Sequence, residues 1–544
     1  MNTEASTPAT LYLLNSILLL TALNGCPAWA AKLRVNTLSD TLKAADGLCT
    51  LREAIANANE DIDTTLGDCA AGSEVDTITF RVSGTIMLAS TLDITTGSSI
   101  ILNGDGRNII VSGGGTVRVM RVNGGAQLHL KRLTITKGFS FSSNDYVGGD
   151  GILNYGTLTV SNSTFTGNGH GPSSPSIGAG IYNAGILTVS NSTFSDNFAA
   201  VGGGIANEGT LTVSNSTFSG NDSIFSGGGI RNIAGTATVT GSTFSGNSTD
   251  STGGGVANND TFTIGNSTFS GNRAADGAGI SNFGTLTVIH STLSFNLGGP
   301  YVGGIRNFSG TLNLANTIVA NNDRVDCENA GTLNISGVSL IGDGSCDASS
   351  DPAHFIIGSP DLGPLADNGG PTQTHALSAG SLAIDQADNT ICAAAPVNNL
   401  DQRNQFRPVD GDGDGTAVCD IGAYEFVPPY PFSGFIPPLV NPPMANTVKA
   451  GRAVPIKLSL GGDYGLNIVS ALYPKSQPVA CESGAPLGDL EKTMTQGKNG
   501  LRYNPITNAY IYVWKTKRAW AGTCRKFIMK LIDNTEHVAL FSFR

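Results

Sequence analysis

The chain has 544 residues, 71 of them Gly, with 40% hydrophobic and only 13% charged residues. Gly without a three-residue period excludes collagen, and the apolar content excludes a disordered chain, so a folded protein rich in strands and turns remains. The net charge of −11 argues against nucleic acid as a partner. The charge is segregated: residues 440–544 hold 14 Lys+Arg against 6 Asp+Glu, which leaves 17 against 36 for the rest, and no Lys occurs between Lys137 and Lys449.

Residues 1–30 read as a signal peptide. The run LYLLNSILLLTAL at 11–23 is too short to span a bilayer and is followed by Ala28-Trp29-Ala30, a small-x-small cleavage pattern. Leu23-Asn24-Gly25-Cys26 also resembles a lipobox, and no later segment reads as transmembrane. Beyond Cys26 the eight cysteines fall into four local pairs, proposed as disulfides: Cys49/Cys69, Cys327/Cys346, Cys392/Cys419 and Cys481/Cys524. Export to an oxidising, extracytoplasmic compartment fits this usage, and no spacing suggests zinc. Residues 31–75 are expected to cap the next domain, with Thr50 and Glu53 forming a capping box for a short helix through Ala58.

A parallel β-helix is expected over 76–426, irregular at first and regular over 148–322. The regular part repeats GGGI-x-N-x-GTLTVSNSTFSGN seven times. The Asn of I-x-N falls at Asn154, Asn183, Asn207, Asn232, Asn258, Asn282 and Asn307, and a second Asn closes each unit from Asn168 to Asn321. Leu-Thr-Val and Ser-Thr-Phe alternate as strands do, and the composition disfavours helix. One such unit cannot bury its own apolar face, so the units must stack at about 4.8 Å per layer. Stacking predicts an inner column of Phe165, Phe194, Phe218, Phe244, Phe269, Leu293 and Ile318. It also predicts Asn ladders, with Asn taking left-handed bends.

Fold precedent makes this a right-handed, pectin-lyase-like solenoid. The GGGI and F-x-G-N elements resemble the repeats of polymorphic outer-membrane-protein-like β-helices. Cys49-Thr50-Leu51-Arg52-Glu53-Ala54 resembles the CSLREA signature of secreted bacterial β-helix proteins, with Thr in place of Ser. Asp401-Gln402-Arg403, Arg407-Pro408 and the stretch from Val409 to Glu425 resemble the choice-of-anchor region of the same proteins. This resemblance implies an exported β-helix, from a family whose biochemical activity is largely undefined.

Residues 427–445, with seven prolines, read as a semi-rigid spacer. Residues 446–544 alternate in strand fashion and are expected to form a small β-sandwich. Lys449-Ala450-Gly451, Pro455-Ile456-Lys457-Leu458 and Tyr510 through Cys524 resemble the PxKF module of secreted bacterial proteins, with Leu458 for Phe. Trp514, Lys515, Lys517, Arg518 and Trp520 offer a basic, aromatic surface for an anionic polymer, against a reading of Trp in core and Lys on a solvated face.

No catalytic residue is assigned. Gly169-His170-Gly171 matches a polygalacturonase motif but lacks the paired carboxylates that glycoside hydrolysis uses. The outward position of I-x-N carries Arg231 and Arg306, with no acidic stripe to complete a lyase site. Asp410, Asp412, Asp414 and Gly415 copy the first half of a calcium loop, but Ile421 stands where an EF-hand has Glu. A structural Ca²⁺ on Asp410, Asp412, Asp414 and Asp420 is therefore expected. The overall expectation is a non-enzymatic surface or extracellular protein in contact with polysaccharide or another polymer. A polysaccharide lyase or glycosidase on the same scaffold is the alternative.

Overall fold

The computed structural model describes residues 31–140, 148–169 and 176–544, except 471, 496–499 and 534. Residues 1–30, which read as a signal peptide, and His170 lie outside the described residues.

The repeats wind into a right-handed parallel β-solenoid whose coils stack into two twelve-stranded sheets and one of ten strands. In one coil, Ile205–Asn207 lies in the ten-stranded sheet, Thr210–Ser214 in one twelve-stranded sheet and Thr217–Ser219 in the other. Equivalent residues pair without slip, Leu187 with Leu211 and Phe194 with Phe218. A fourth, five-stranded sheet runs from Phe198–Val201 to Leu297–Gly298. It was not foreseen, because DSIFS, ST and RA carry no common apolar period.

Alternation fills the interior: Leu211, Val213 and Phe218 are buried while Thr210 and Thr212 face solvent. Phe165, Phe194, Phe218, Phe244 and Phe269 stack with ring centroids 4.5–4.9 Å apart and planes within 7°. The column continues through Leu293 to Val319, not to Ile318. Ile318 pairs with Thr292 and points outward. The closing Asn of that coil is correspondingly Asn322, which accepts from Asn296 Nδ2 at 2.8 Å. The loose seventh repeat had concealed a one-residue offset, and one residue exchanges the two faces of a strand.

Two buried asparagine ladders hold the coils in register. In the first, Asn183 Nδ2 donates to Asn207 Oδ1 (2.7 Å), and Asn207 Nδ2 to Asn232 Oδ1 (2.8 Å). In the second, Asn197 Nδ2 donates to Asn221 Oδ1 (2.8 Å), and Asn221 Nδ2 to both Asn247 Oδ1 (2.9 Å) and the Phe194 carbonyl (2.9 Å). Backbone amides join this ladder, as Asn221 N–H also donates to Asn247 Oδ1. The left-handed bends belong to other asparagines: Asn162, Asn191, Asn215, Asn266 and Asn316, with φ of +45° to +50°. A serine ladder links the same corner, for example Ser216 N–H to Ser242 Oγ (3.1 Å). The third Gly of the GGG triplet passes under the next coil. A Cβ on Gly229 would sit 2.5 Å from the Gly255 carbonyl oxygen and 2.9 Å from the Phe244 ring.

At the N-terminal end, Ala31–Val35 adds the first strand by pairing with Asp76–Phe80. Helix Leu51–Glu60 covers the open coil with Leu51, Ala54, Ile55 and Ala58. Its capping box is formed: Thr50 Oγ1 accepts from Glu53 N–H, and Glu53 Oε2 accepts from Thr50 N–H. All four local cysteine pairs are bridged: Cys49–Cys69, Cys327–Cys346, Cys392–Cys419 and Cys481–Cys524.

The solenoid stops at Phe355–Ile357, short of residue 426. From 358 the chain turns back as a strap along the outside of the sheet that ends there. In its last coils that sheet presents Ile318, Ala320 and Leu340 outward in place of hydroxyls, and the strap buries them under Leu377, Ile384, Ile421 and Tyr424. Residues 427–445 are not a free spacer either, since Phe435 and Leu439 are buried in the core of the C-terminal domain and Phe432 stacks on His537. That domain packs a five-stranded sheet against a four-stranded one. Its core is built on Tyr510, Trp514, Phe527 and Phe541.

Two predictions follow from this packing. Asn221→Ala leaves the Asn197 backbone N–H and one Nδ2 hydrogen of Asn197 without an acceptor, so urea unfolding is expected to show a loss of about 2–4 kcal/mol. Thr212→Ala, on the exposed face, changes it by less than about 0.5 kcal/mol. Asp76 is fully buried with one carboxylate oxygen unpartnered, and burial, with a smaller contribution from Asp61, pushes its pKa up to about 6. The unfolded chain ionises there first, so stability contributed by this group falls as pH rises from about 4 to about 6 and is flat above. Melting temperatures across that range are expected to decline less steeply in Asp76→Asn.

Candidate functional site

The strap is held to the solenoid by a buried polar clasp made of the residues that carried the choice-of-anchor resemblance. Gln402 Nε2 donates to Thr243 Oγ1 (3.0 Å), Thr372 Oγ1 (2.9 Å) and the Gln373 carbonyl (3.1 Å), while its Oε1 accepts from Thr268 Oγ1 (2.6 Å). Arg403 pairs with Asp401 at 2.7 Å, donates to the Glu425 carbonyl and lies 3.6 Å over the Tyr424 ring. Arg407 donates to His290 Nδ1 (2.6 Å) and faces Glu425 at 3.6 Å. All of these charged groups are buried.

Burial sets their protonation. It pushes Glu425 up to about 7 against the opposing pull of Arg407. It raises Asp420 well above the carboxylate range, helped by the Glu425 charge. Burial and the Arg407 charge together hold His290 well below its usual value, so the ring is neutral. Charges paired this far from water serve to fix the strap, since removing one partner would strand the other.

The strap brings an acidic loop to the surface. Asp385, Asp410 and Asp412 each offer a carboxylate oxygen within 4.8 Å of the others. Asp385 Oδ2 accepts from the Gly411 (2.8 Å) and Asp412 (2.7 Å) amides, which folds the loop onto it. Asp385 Oδ1 is buried and has no hydrogen-bond partner. Asp410 accepts from Gly413 and Gly415 N–H. Among the described residues no ion pair reaches these three carboxylates. A dense set of hard oxygen donors with one orphaned oxygen fits a divalent cation such as Ca²⁺.

Of the four residues expected as ligands, the structure brings together Asp410 and Asp412. Asp414 caps Thr416 N–H on the exposed side of the loop. Asp420 is buried on the other side, accepting from Asp385 and Phe426 N–H. The third carboxylate beside them is that of Asp385, which sequence reasoning missed because it stands 25 residues before Asp410, outside any loop motif.

Elsewhere Arg306 is paired with Asp276 (3.7 Å) and Glu328, while Arg231 is largely buried and has its charge disfavoured by desolvation. A polar groove of about 460 Å³ along the fourth sheet is lined by Asp222, Ser248, Asp250 and Arg273. It is a carboxylate grouping absent from the sequence expectation. Its walls are open and polar, unlike the apolar pocket that keeps a general acid protonated.

In the C-terminal domain Trp514 is fully buried against Phe527 and Phe541, so it is core. Trp520 is half-buried, with Arg525 4.2 Å and Lys517 5.5 Å over its ring. Lys515, Lys517 and Arg518 are exposed beside it. No helix among the described residues is long and apolar enough to cross a membrane.

No protein-family model matches the chain, and no curated protein matches it either.

The clasp is testable. Gln402→Leu leaves the buried Thr268 hydroxyl without its acceptor and removes the donor shared by Thr243, Thr372 and the Gln373 carbonyl. It is expected to lower stability by about 2–4 kcal/mol and to make residues 358–426 the first site of limited proteolysis.

Proposed function

We propose that the chain is an exported bacterial β-solenoid that contacts a polysaccharide or another extracellular polymer without performing chemistry on it. The observation that carries this reading is the outer face of the twelve-stranded sheet that begins at Ala31–Val35. Along it, Thr210 and Thr212, Thr236 and Thr238, Thr261 and Thr263, and Thr285 and Thr287 stand in register on successive strands. These side chains are exposed or half-exposed, and no Lys or Arg interrupts the columns between Thr157 and Ser336. A flat, uncharged, hydroxyl-rich surface with a fixed repeat suits a repeating, hydroxyl-rich polymer. Four disulfides fit an oxidising compartment. The resemblance of its motifs to those of secreted CSLREA and choice-of-anchor β-helix proteins, and of its last domain to a PxKF-type module, supports this reading.

The acidic loop serves as a structural Ca²⁺ site on Asp385, Asp410 and Asp412, fastening the strap. Calorimetric titration of the full chain with Ca²⁺ is expected to give a binding heat and a raised melting temperature, both lost in Asp385→Asn and Asp412→Asn and kept in Asp414→Asn. No heat and no melting shift would end this assignment.

The competing reading is a glycosidase or lyase, favoured by Asp222, Asp250 and Arg273 in one groove. A glycan array together with reducing-sugar and ultraviolet-absorbance assays on acidic polysaccharides separates the two. Binding without product is expected, and product formation lost in Asp222→Asn would establish the enzyme.

A further inference from the structure

An apolar cleft of about 540 Å³ lies where the strap meets the C-terminal domain. Its volume falls in the range of small-molecule sites, and domain junctions are where such sites concentrate. Three aromatic rings line it, Phe406 from the strap and Tyr430 and Tyr464 from the C-terminal side. Tyr430 and Tyr464 meet at 4.7 Å between centroids and 56° between planes, forming a corner. Phe406 is 64% and Tyr464 47% exposed, so two large rings stand in water.

The corner is anchored from behind. Tyr430 N–H donates to Asp533 Oδ2 (2.7 Å) and Tyr464 N–H to Tyr510 Oη (2.6 Å). The polar side-chain groups of the cleft are few: the Gln405 and Asn467 amides, the Tyr430 and Tyr464 hydroxyls and the Asp410 carboxylate, itself held by the Gly413 and Gly415 amides.

We infer that this cleft binds a neutral sugar ring of the polymer, with its C–H face on Tyr464 and Phe406 and its hydroxyls on Gln405, Asp410 and Asn467. The inference rests on the polymer-contact reading and gives it a site. A pyranose has both an apolar face and a fringe of hydroxyls, so it satisfies rings and polar groups together. A purely apolar ligand would strand two amides and a carboxylate. A quaternary ammonium would use the rings and the charge but has no hydrogen to give the amide oxygens. An acidic sugar would need a cationic side chain for its carboxylate, and no Lys or Arg lines the cleft.

The test uses the full chain, titrated with cellohexaose, chitohexaose and xylohexaose and, separately, with tetramethylammonium chloride, following tyrosine fluorescence and calorimetric heat. Phe406→Ala and Tyr464→Ala are compared with Phe225→Ala, which removes an exposed ring outside the cleft, after melting curves show each is folded. The expected result is saturable binding of one hexaose, its Kd raised about tenfold or more by either cleft variant and unchanged by Phe225→Ala. Glycan binding indifferent to both cleft variants overturns the cleft assignment and leaves the polymer reading standing. Binding of no glycan here or on the array overturns both. Ring-dependent binding of tetramethylammonium alone overturns the sugar in favour of a cation.

Discussion

A buried side-chain amide tolerates only a partner that satisfies it, and in this solenoid the partner is the same amide one coil away. That constraint fixes everything else. An asparagine that donates to its copy, as Asn221 does to Asn247, requires each coil to lie in register on the next. With register fixed, Phe218 stacks on Phe244, Thr210 stands over Thr236, and Gly229 passes beneath the Gly255 carbonyl. The apolar column supplies the driving force of burial, and the ladders supply the discrimination: a slipped coil would leave amides unsatisfied inside a dry core. Nearest-neighbour stacking then carries the pattern along the axis, and the ends need covers. Helix Leu51–Glu60 is the cover at one end.

Much of the solenoid was legible because each side chain there has one job, set by its place in a repeat. Phe, Leu and Val face in and Thr faces out, so pairing alone reproduces the core. The reading failed where jobs changed without a change of period. In the seventh repeat the spacing shifts by one residue, so Val319 takes the inward place and Ile318 faces outward. The left-handed bends were assigned to the ladder asparagines although a third set, Asn191 and Asn215 among them, occupies those bends. The strap was legible in composition only. Its contacts join residues more than a hundred positions apart, as Thr268 with Gln402, and no periodicity marks Ile384, Ile421 or Tyr424 as a packing face. Asp385 was invisible for the same reason: it reaches the acidic loop through folding, not spacing.

Charge is placed by the same logic. The outer columns of the twelve-stranded sheets carry none over the regular coils, and the ionic groups Asp401, Arg403, Arg407 and Glu425 are withdrawn from water to lock the strap. The residues that carry the choice-of-anchor resemblance thus form a structural joint. What the joint exposes is the pair of features with chemistry to offer: the carboxylates of the acidic loop and the aromatic cleft beside it, which share Asp410. The C-terminal domain contributes the opposite charge, on Lys515, Lys517 and Arg518 around Trp520, while Trp514 serves its core.

Hydrogen exchange of the asparagine side-chain amides, read by NMR on the full chain, measures the ladders directly. The Nδ2 protons of Asn197, Asn221, Asn247 and Asn272 are expected to exchange as slowly as the backbone amides of the strands they join. Exchange of those protons at the rate of an exposed asparagine such as Asn467 would contradict the claim that they set the register.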